Sequence, residues 1–264
     1  MDLELRGKTA LVTGASKGIG LSIARSLARE GCHVWLVART RSELDKVADE
    51  IRRDFKVEAI AVAADLSRRA GLEMVVEACR SVDVLINSAG AIPRGGLGEI
   101  DDDRWRRAWD LKVFGTINLT REIYGPMCAR GSGVILNIVG VAGLRPDAHY
   151  IAGSTANAAL IMFSRSLGGE SVRHGVRVVA VNPGPVETEK TLNDTKALAR
   201  ERFGDETRWR ELNARFPMQR AATTNEVSDM VAFLASDRAA YISGVSIDID
   251  GGLLSDASVG VKRS

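Results

Sequence analysis

Seven short apolar runs, rich in valine and isoleucine, alternate along the chain with helix-length amphipathic segments. The runs are TALVT (9–13), HVWLV (33–37), VEAIAVA (57–63), DVLIN (83–87), GVILNIV (133–139), VRVVAV (176–181) and VSIDI (245–249). Most are apolar at consecutive rather than alternate positions, the pattern of strands covered on both faces. Segments between them, such as IGLSIARSLAREG and RSELDKVADEIRRDF, place apolar residues at helical spacing, and the first ends on glycine, a helix stop. This alternation predicts an α/β fold, a Rossmann-type doubly wound parallel sheet of about seven strands in a single domain. That domain is expected to span residues 1–264.

The stretch EKTLNDTKALARERFGDETRWRELNARF, residues 189–216, breaks the rhythm. It is charged and has no strand-like run. It reads as a helical insertion at the carboxyl ends of the strands, where such sheets bind ligands. A lid over the substrate is one reading, a solvated helical face the other.

Composition narrows the class of partner. Of 264 residues 45% are apolar and 27% charged, with a formal net charge of +2. That balance carries no nucleic-acid footprint and no polybasic membrane patch. No apolar run reaches the length of a membrane span. The opening MDLELRGK has no apolar core, so a secretory leader is not expected and the cytoplasm is the expected compartment. Cys32, Cys79 and Cys128 have no Cys-x-x-Cys spacing and read as small core residues in a reducing environment. His33, His149 and His174 show no ligand spacing, so no metal site is expected.

The most specific local signal is TALVTGASKGIGLSIARSLA. Gly14, Gly18 and Gly20 lie between the first strand and the first helix, where they allow a tight turn and close approach of a pyrophosphate. The opening helix directs free N–H groups and a positive dipole end at that anion. About 20 residues on, an Asp or Glu normally takes the ribose of NAD. This chain has VART there, with Arg39 after Ala38. A guanidinium can grip a 2′-phosphate in forked geometry, and Lys17 adds a second charge. NADP(H) is therefore favoured over NAD(H).

With these residues in place, the chain resembles the short-chain dehydrogenase/reductase family from Leu5 to about Leu253. TGASKGIG (13–20) resembles the family's cofactor loop and implies contacts from Thr13, Gly14, Ser16, Lys17, Gly18, Ile19 and Gly20. Asp65 and Leu66 match the pair that contacts adenine. NSAG (87–90) resembles a turn that would bring Asn87, Ala89 and Gly90 to the cofactor. NPGPVET (182–188) resembles the turn that would supply Pro183, Gly184, Val186 and, to the nicotinamide amide, Thr188. FLASDRAAYISGVSIDIDGG (233–252) resembles the carboxyl-terminal signature.

The family's chemistry resides in an Asn, a Ser, a Tyr and a Lys. Tyrosine exchanges a proton with the substrate oxygen, and lysine lowers the phenol's pKa from about 10. Gap-free alignment places Lys112 at the Asn position, Gly140 at the Ser position, Gly153 at the Tyr position and Asn157 at the Lys position. The resemblance also gives Asn157 a place at the cofactor.

Tyr150 is the candidate replacement donor. On a helix beginning by Tyr150, residues 150, 153 and 157 share one face. The phenol would then start one turn, about 4.5 Å, before the family's position and lean further away. A later helix start would instead let Tyr150 fold over the gap at Gly153, and Pro146 and Asp147 suggest a chain still turning there. The alternative is an aromatic lining the pocket. His149 is a weaker donor candidate, and Ser154 lies four residues beyond Tyr150. Asn-to-Lys at 112 and Lys-to-Asn at 157 together suggest a reciprocal exchange, with the Lys112 ammonium near the cleft. The alternative is a Lys112 turned away or paired with Asp110. Glycines at 140 and 153 would also widen the pocket for a bulkier substrate.

Two functions follow. One is an NADP(H)-dependent oxidoreductase acting on a small carbonyl or alcohol through a non-standard proton relay, with Tyr150, Lys112, Asn157 and Ser154 as its candidate catalytic residues. The other is a dinucleotide-binding sensor or assembly subunit without turnover. By resemblance, the segments around 103–130 and 147–174 would join copies into a dimer or tetramer.

Overall fold

Six apolar runs form parallel strands close to their expected bounds: Thr9–Thr13 (β1), His33–Ala38 (β2), Val84–Asn87 (β4), Gly133–Ile138 (β5), Val176–Pro183 (β6) and Val245–Ile249 (β9). The remaining one, Ala59–Ala63 (β3), starts two residues later than its apolar run. Lys56, at φ +58°, ends the preceding helix in the left-handed region, and Val57 and Glu58 make the turn that follows. These features come from a computed structural model that describes residues 1–79 and 81–256. The part of the expected domain at 257–264 lies outside the described residues.

The sheet order is β3-β2-β1-β4-β5-β6-β9, every neighbouring pair parallel. Helices Gly18–Arg29 (α1), Arg41–Phe55 (α2) and Thr224–Ala235 (α8) belong to the core on one face. Arg69–Ala78 (α3) and Gly115–Arg130 (α5) belong to the core on the other. Helix α1 shows why the segment is helical: Ile23, Ala24, Leu27 and Ala28 share one face and are at most 1% exposed. Burying side chains the size of Ile or Leu contributes about 1.5–3 kcal/mol each.

The chain leaves β1, builds outward to β3, then returns to place β4 on the other side of β1. The crevice at that reversal, outside the carboxyl ends of the strands, is where doubly wound sheets take ligands.

Three features depart from the simple alternation. Asp102–Trp109 (α4) runs into a π-helical turn, Asp110–Phe114, before α5 begins. Helix Ile151–Ser171 (α6) starts after Tyr150, whose φ and ψ of −142° and 37° are not helical. Two short strands, Val186–Glu187 (β7) and Ala222–Thr223 (β8), pair with each other on either side of the 189–216 segment. That segment is helical as expected, with Glu189–Phe203 (α7) followed by a 3₁₀ stretch, Glu206–Arg215. Among the described residues no helix is long and apolar enough to cross a membrane.

Candidate active site and cofactor cleft

A cleft of about 510 Å³ follows the carboxyl ends of the strands, from the glycine turn to the start of α6. The turn after β1 is built to let chain pass close to chain. Gly14 has φ +68°, and a Cβ there would meet Ser88 O at 3.0 Å. A Cβ on Gly20 would sit 2.3 Å from Gly14 O. Thr13, 1% exposed, locks two turns together: its hydroxyl accepts from the backbone N–H groups of Ser88 (2.9 Å) and Ala89 (3.0 Å). Helix α1 begins at this turn with no side-chain cap and no acid in its first turn. Its first N–H groups and dipole are thus left for an outside anion. These observations fit a dinucleotide pyrophosphate.

The exposed Lys17 and Arg39 line the cleft, neither in an ion pair among the described residues. Burial would raise the Asp65 carboxyl, but hydrogen bonds from Ser67 and the charges of Arg39 and Arg68 bring it below the ordinary value. Leu66 lines the cleft, whereas Asp65 is turned to Ser67, whose hydroxyl donates at 2.7 Å. The sequence around VART has no carboxylate, but Glu43, in the first turn of α2, also lines the cleft.

Pro183, Gly184, Val186 and Thr188 line the cleft from the region of β6 and β7, and Thr188 lies against the glycine turn, a Cβ on Gly18 meeting its Cγ2 at 3.5 Å. Thr188 caps α7, accepting from Thr191 N at 3.2 Å, and Thr191 lines the cleft beside it. Asn87 points elsewhere. It is 4% exposed, and its amide donates to Thr120 Oγ1 (3.0 Å) and to Asn137 Oδ1 (2.9 Å); the Asn137 amide in turn donates to Ser164 Oγ (2.8 Å). This buried chain ties β4, β5, α5 and α6 together.

The π turn delivers Lys112 to the cleft wall, against Gly90. Its Nζ donates to Val139 O at 2.9 Å. Desolvation, with no carboxylate to offset it, lowers its pKa from the usual lysine range to about 8. Asp110 lines a different groove, with Phe114 and Asn118. Lys112 thus lines the cleft wall and makes no ion pair with Asp110.

Tyr150 also lines the cleft, and its ring lies over Gly153. The space freed at 153 is filled by this ring, which removes half the basis for an enlarged pocket. Gly140 supplies little more room: at φ +127°, a Cβ there would lie 3.1 Å from Asn157 Nδ2. Asn157 is 2% exposed and is absent from the cleft wall, its Oδ1 without a hydrogen-bond partner among the described residues. The Ser154 hydroxyl is likewise buried, unpartnered and off the cleft wall. His149 is exposed, its N–H given to Asp147 Oδ1 at 2.9 Å. Of the four candidate catalytic residues, the fold brings Lys112 and Tyr150 to the cleft and sets Asn157 and Ser154 behind it. Of the expected cofactor residues, Thr13, Gly18, Asp65, Asn87 and Asn157 are off its wall and the rest are on it.

Sequence reading missed Arg94. The loop after β4 crosses the start of α6, where Gly95 N donates to His149 O at 2.7 Å. Arg94 there lies 5.3 Å from the Tyr150 ring centroid and pairs with Asp147 at 2.9 Å. It has no motif of its own, and only the crossing of two loops brings it to Tyr150. Burial raises the Tyr150 pKa above that of an ordinary phenol, Arg94 opposes this and Asp147 adds to it.

Comparison with known proteins agrees with this architecture. Residues 8–198 match the family model described as short chain dehydrogenase. The chain is 33% identical over 251 residues to galactitol 2-dehydrogenase (L-tagatose-forming) of Cereibacter sphaeroides, covering 94% of this chain and 96% of that protein. Its fold superimposes on L-sorbose reductase of Gluconobacter frateurii, solved with NADPH and L-sorbose, with a TM-score of 0.93, 33% identity and coverage of 97% and 100%. NAD+-bound xylitol dehydrogenase superimposes with a TM-score of 0.85 at 26% identity, covering 94% and 100%. The chain belongs to the short-chain dehydrogenase/reductase family of NAD(P)-dependent oxidoreductases.

Proposed function

We propose that the protein is an NADP(H)-dependent oxidoreductase acting on a small carbonyl or alcohol through a rebuilt proton relay. The observation that carries this reading is the position of Tyr150: its ring covers Gly153, the residue aligned with the family's tyrosine, on the wall of the same cleft as the glycine turn. When bound, the nicotinamide supplies or accepts hydride at the substrate carbon. The glycine turn and the α1 N-terminus would hold the pyrophosphate, and Thr188, Pro183 and Gly184 the nicotinamide side.

Tyr150 is the proton donor to the substrate oxygen. Its raised pKa keeps it a neutral phenol near pH 7, the form that donates. Lys112 is the cation of the site, in reciprocal exchange with Asn157. Its ammonium has three N–H donors and gives one to Val139 O, leaving two for other acceptors. A pKa near 8 lets it hold or pass a proton at neutral pH. Asn157, behind Gly140, orders the wall. NADP(H) is preferred because Arg39 and Lys17 line the cleft without an ion pair among the described residues, and L-sorbose reductase carries NADPH.

Helix α7 and the 3₁₀ stretch after it, within residues 189–216, act as a lid over the substrate, since Thr188 and Thr191 join the cap of α7 to the cleft wall. Phe114 and Met162, 49% and 60% exposed on the segments after α4 and in α6, support assembly into a homo-oligomer. Three free thiols support a cytoplasmic setting.

The test is NADPH oxidation with a panel of aldehydes, ketones including L-sorbose, and quinones. Turnover lost in Tyr150→Phe with NADPH binding intact supports the reading. NADPH binding without turnover on any substrate overturns it.

A further inference from the structure

In the arrangement described, the phenol has lost its family partner. Asn157 stands at the aligned lysine position and is uncharged, buried and off the cleft wall. Lys112 is at the cleft, but Arg94 and Asp147 are the charges that act on Tyr150 among the described residues. The cation over the ring comes from another element. Arg94 belongs to the loop after β4, and its guanidinium carbon lies 5.3 Å from the ring centroid. Two further contacts hold it there: the Arg94 Nη2–Asp147 Oδ2 pair at 2.9 Å and the backbone bond from Gly95 N to His149 O at 2.7 Å. Gly95 and Tyr150 form an isolated parallel bridge, so the loop that carries Arg94 is registered against the residue it covers.

We propose that Arg94 is a positioning residue of this site: stacked on Tyr150 and anchored by Asp147, it sets the proton affinity of the phenol in place of the lysine that position 157 lacks. The ring face attracts a cation, which fixes the ring's orientation as well. A nearby positive charge favours phenolate, and a negative one disfavours it. Arg94 and Asp147 therefore act on the phenol with opposite signs. Other titratable groups near this loop pair are His149, exposed beside Tyr150, Glu99, which accepts from Gly96 N at 2.7 Å, and Lys112 on the cleft wall. The Arg94 side chain is 70% exposed, so replacing it removes the charge without emptying the core.

This inference rests on Tyr150 as the proton donor, but the phenol can be read without turnover. The experiment is a near-ultraviolet pH titration of phenolate in the full chain, with the Tyr150→Phe trace subtracted to remove Tyr124 and Tyr241. The expected result is a Tyr150 titration moved to higher pH in Arg94→Gln and close to native in Arg94→Lys. A Tyr150 titration unchanged in Arg94→Gln overturns the proposal, as does an equal shift in Arg94→Lys, which loosening of the loop without a role for the charge would produce. Full turnover in Tyr150→Phe would instead overturn the assignment of the donor, a result the phenolate titration does not imitate.

Discussion

The ring of Tyr150 fills the space directly over Gly153: a Cβ built at 153 would lie 2.1 Å from the ring's Cε1 and Cζ. Glycine at 153 is what allows the residue three positions earlier to fold down onto the helix it precedes. Gly153→Ala therefore forces the ring off its seat. We expect a loss of about 1–3 kcal/mol, the usual cost of overpacking, and a fall in turnover at unchanged NADPH affinity. Thermal unfolding and steady-state kinetics on one preparation check both. A variant with native turnover would show that the ring's seat does not matter.

Lys112 is expected to trade stability for activity. Its folded pKa near 8 lies below the 10.5 of a free lysine. Between those values the unfolded chain binds more protons than the native one, so the burdened native state gains stability as pH rises. Below pH 8 the burden is complete. Lys112→Met should remove it, stabilising the protein at pH 7 by up to about 3 kcal/mol at about 1.36 kcal/mol per pKa unit. Water at the cleft and the lost bond to Val139 O reduce that figure. The advantage should fade between pH 8 and 10.5, as denaturant unfolding across that window would reveal. Turnover should be lost while NADPH still binds.

Cofactor choice should reside in Arg39. Charge-assisted hydrogen bonds contribute about 1.5–3 kcal/mol, so Arg39→Ala should weaken NADPH about 10- to 100-fold and leave NADH little changed. Glu43→Gln, on the wall of the same cleft, should shift the balance the other way by removing a charge that repels the 2′-phosphate. Binding titrations with both nucleotides decide this. Equal losses for the two would show that Arg39 does not read the phosphate.

The strands were legible because buried parallel strands are apolar at successive positions, as β6 shows with every residue buried. The glycine turn was legible because close backbone approach admits few residue types. The site's details depend on features that no local pattern reports. Lys112 reaches the cleft through a π turn, and helical spacing does not mark such a turn in advance. Asn87 sits in a recognisable cofactor turn, yet its amide is committed to Thr120 and Asn137, partners from separate elements. Gly140 looked like a simple loss of a serine side chain, but its φ of +127° makes it a different backbone. Strands β7 and β8 are too short to leave a pattern. The helix-start ambiguity at Tyr150 was visible in Pro146 and Asp147, and the fold resolves it toward the later start.

The central claim, that Tyr150 protonates the substrate oxygen from its seat over Gly153, is tested most directly by comparing the native protein and Tyr150→Phe. The comparison uses one carbonyl substrate drawn from the panel, at saturating NADPH. A general acid typically contributes about 10² to 10⁴ in rate, so kcat should be lower by that factor in Tyr150→Phe, with the Kd for NADPH unchanged. Equal kcat in the two proteins would contradict it.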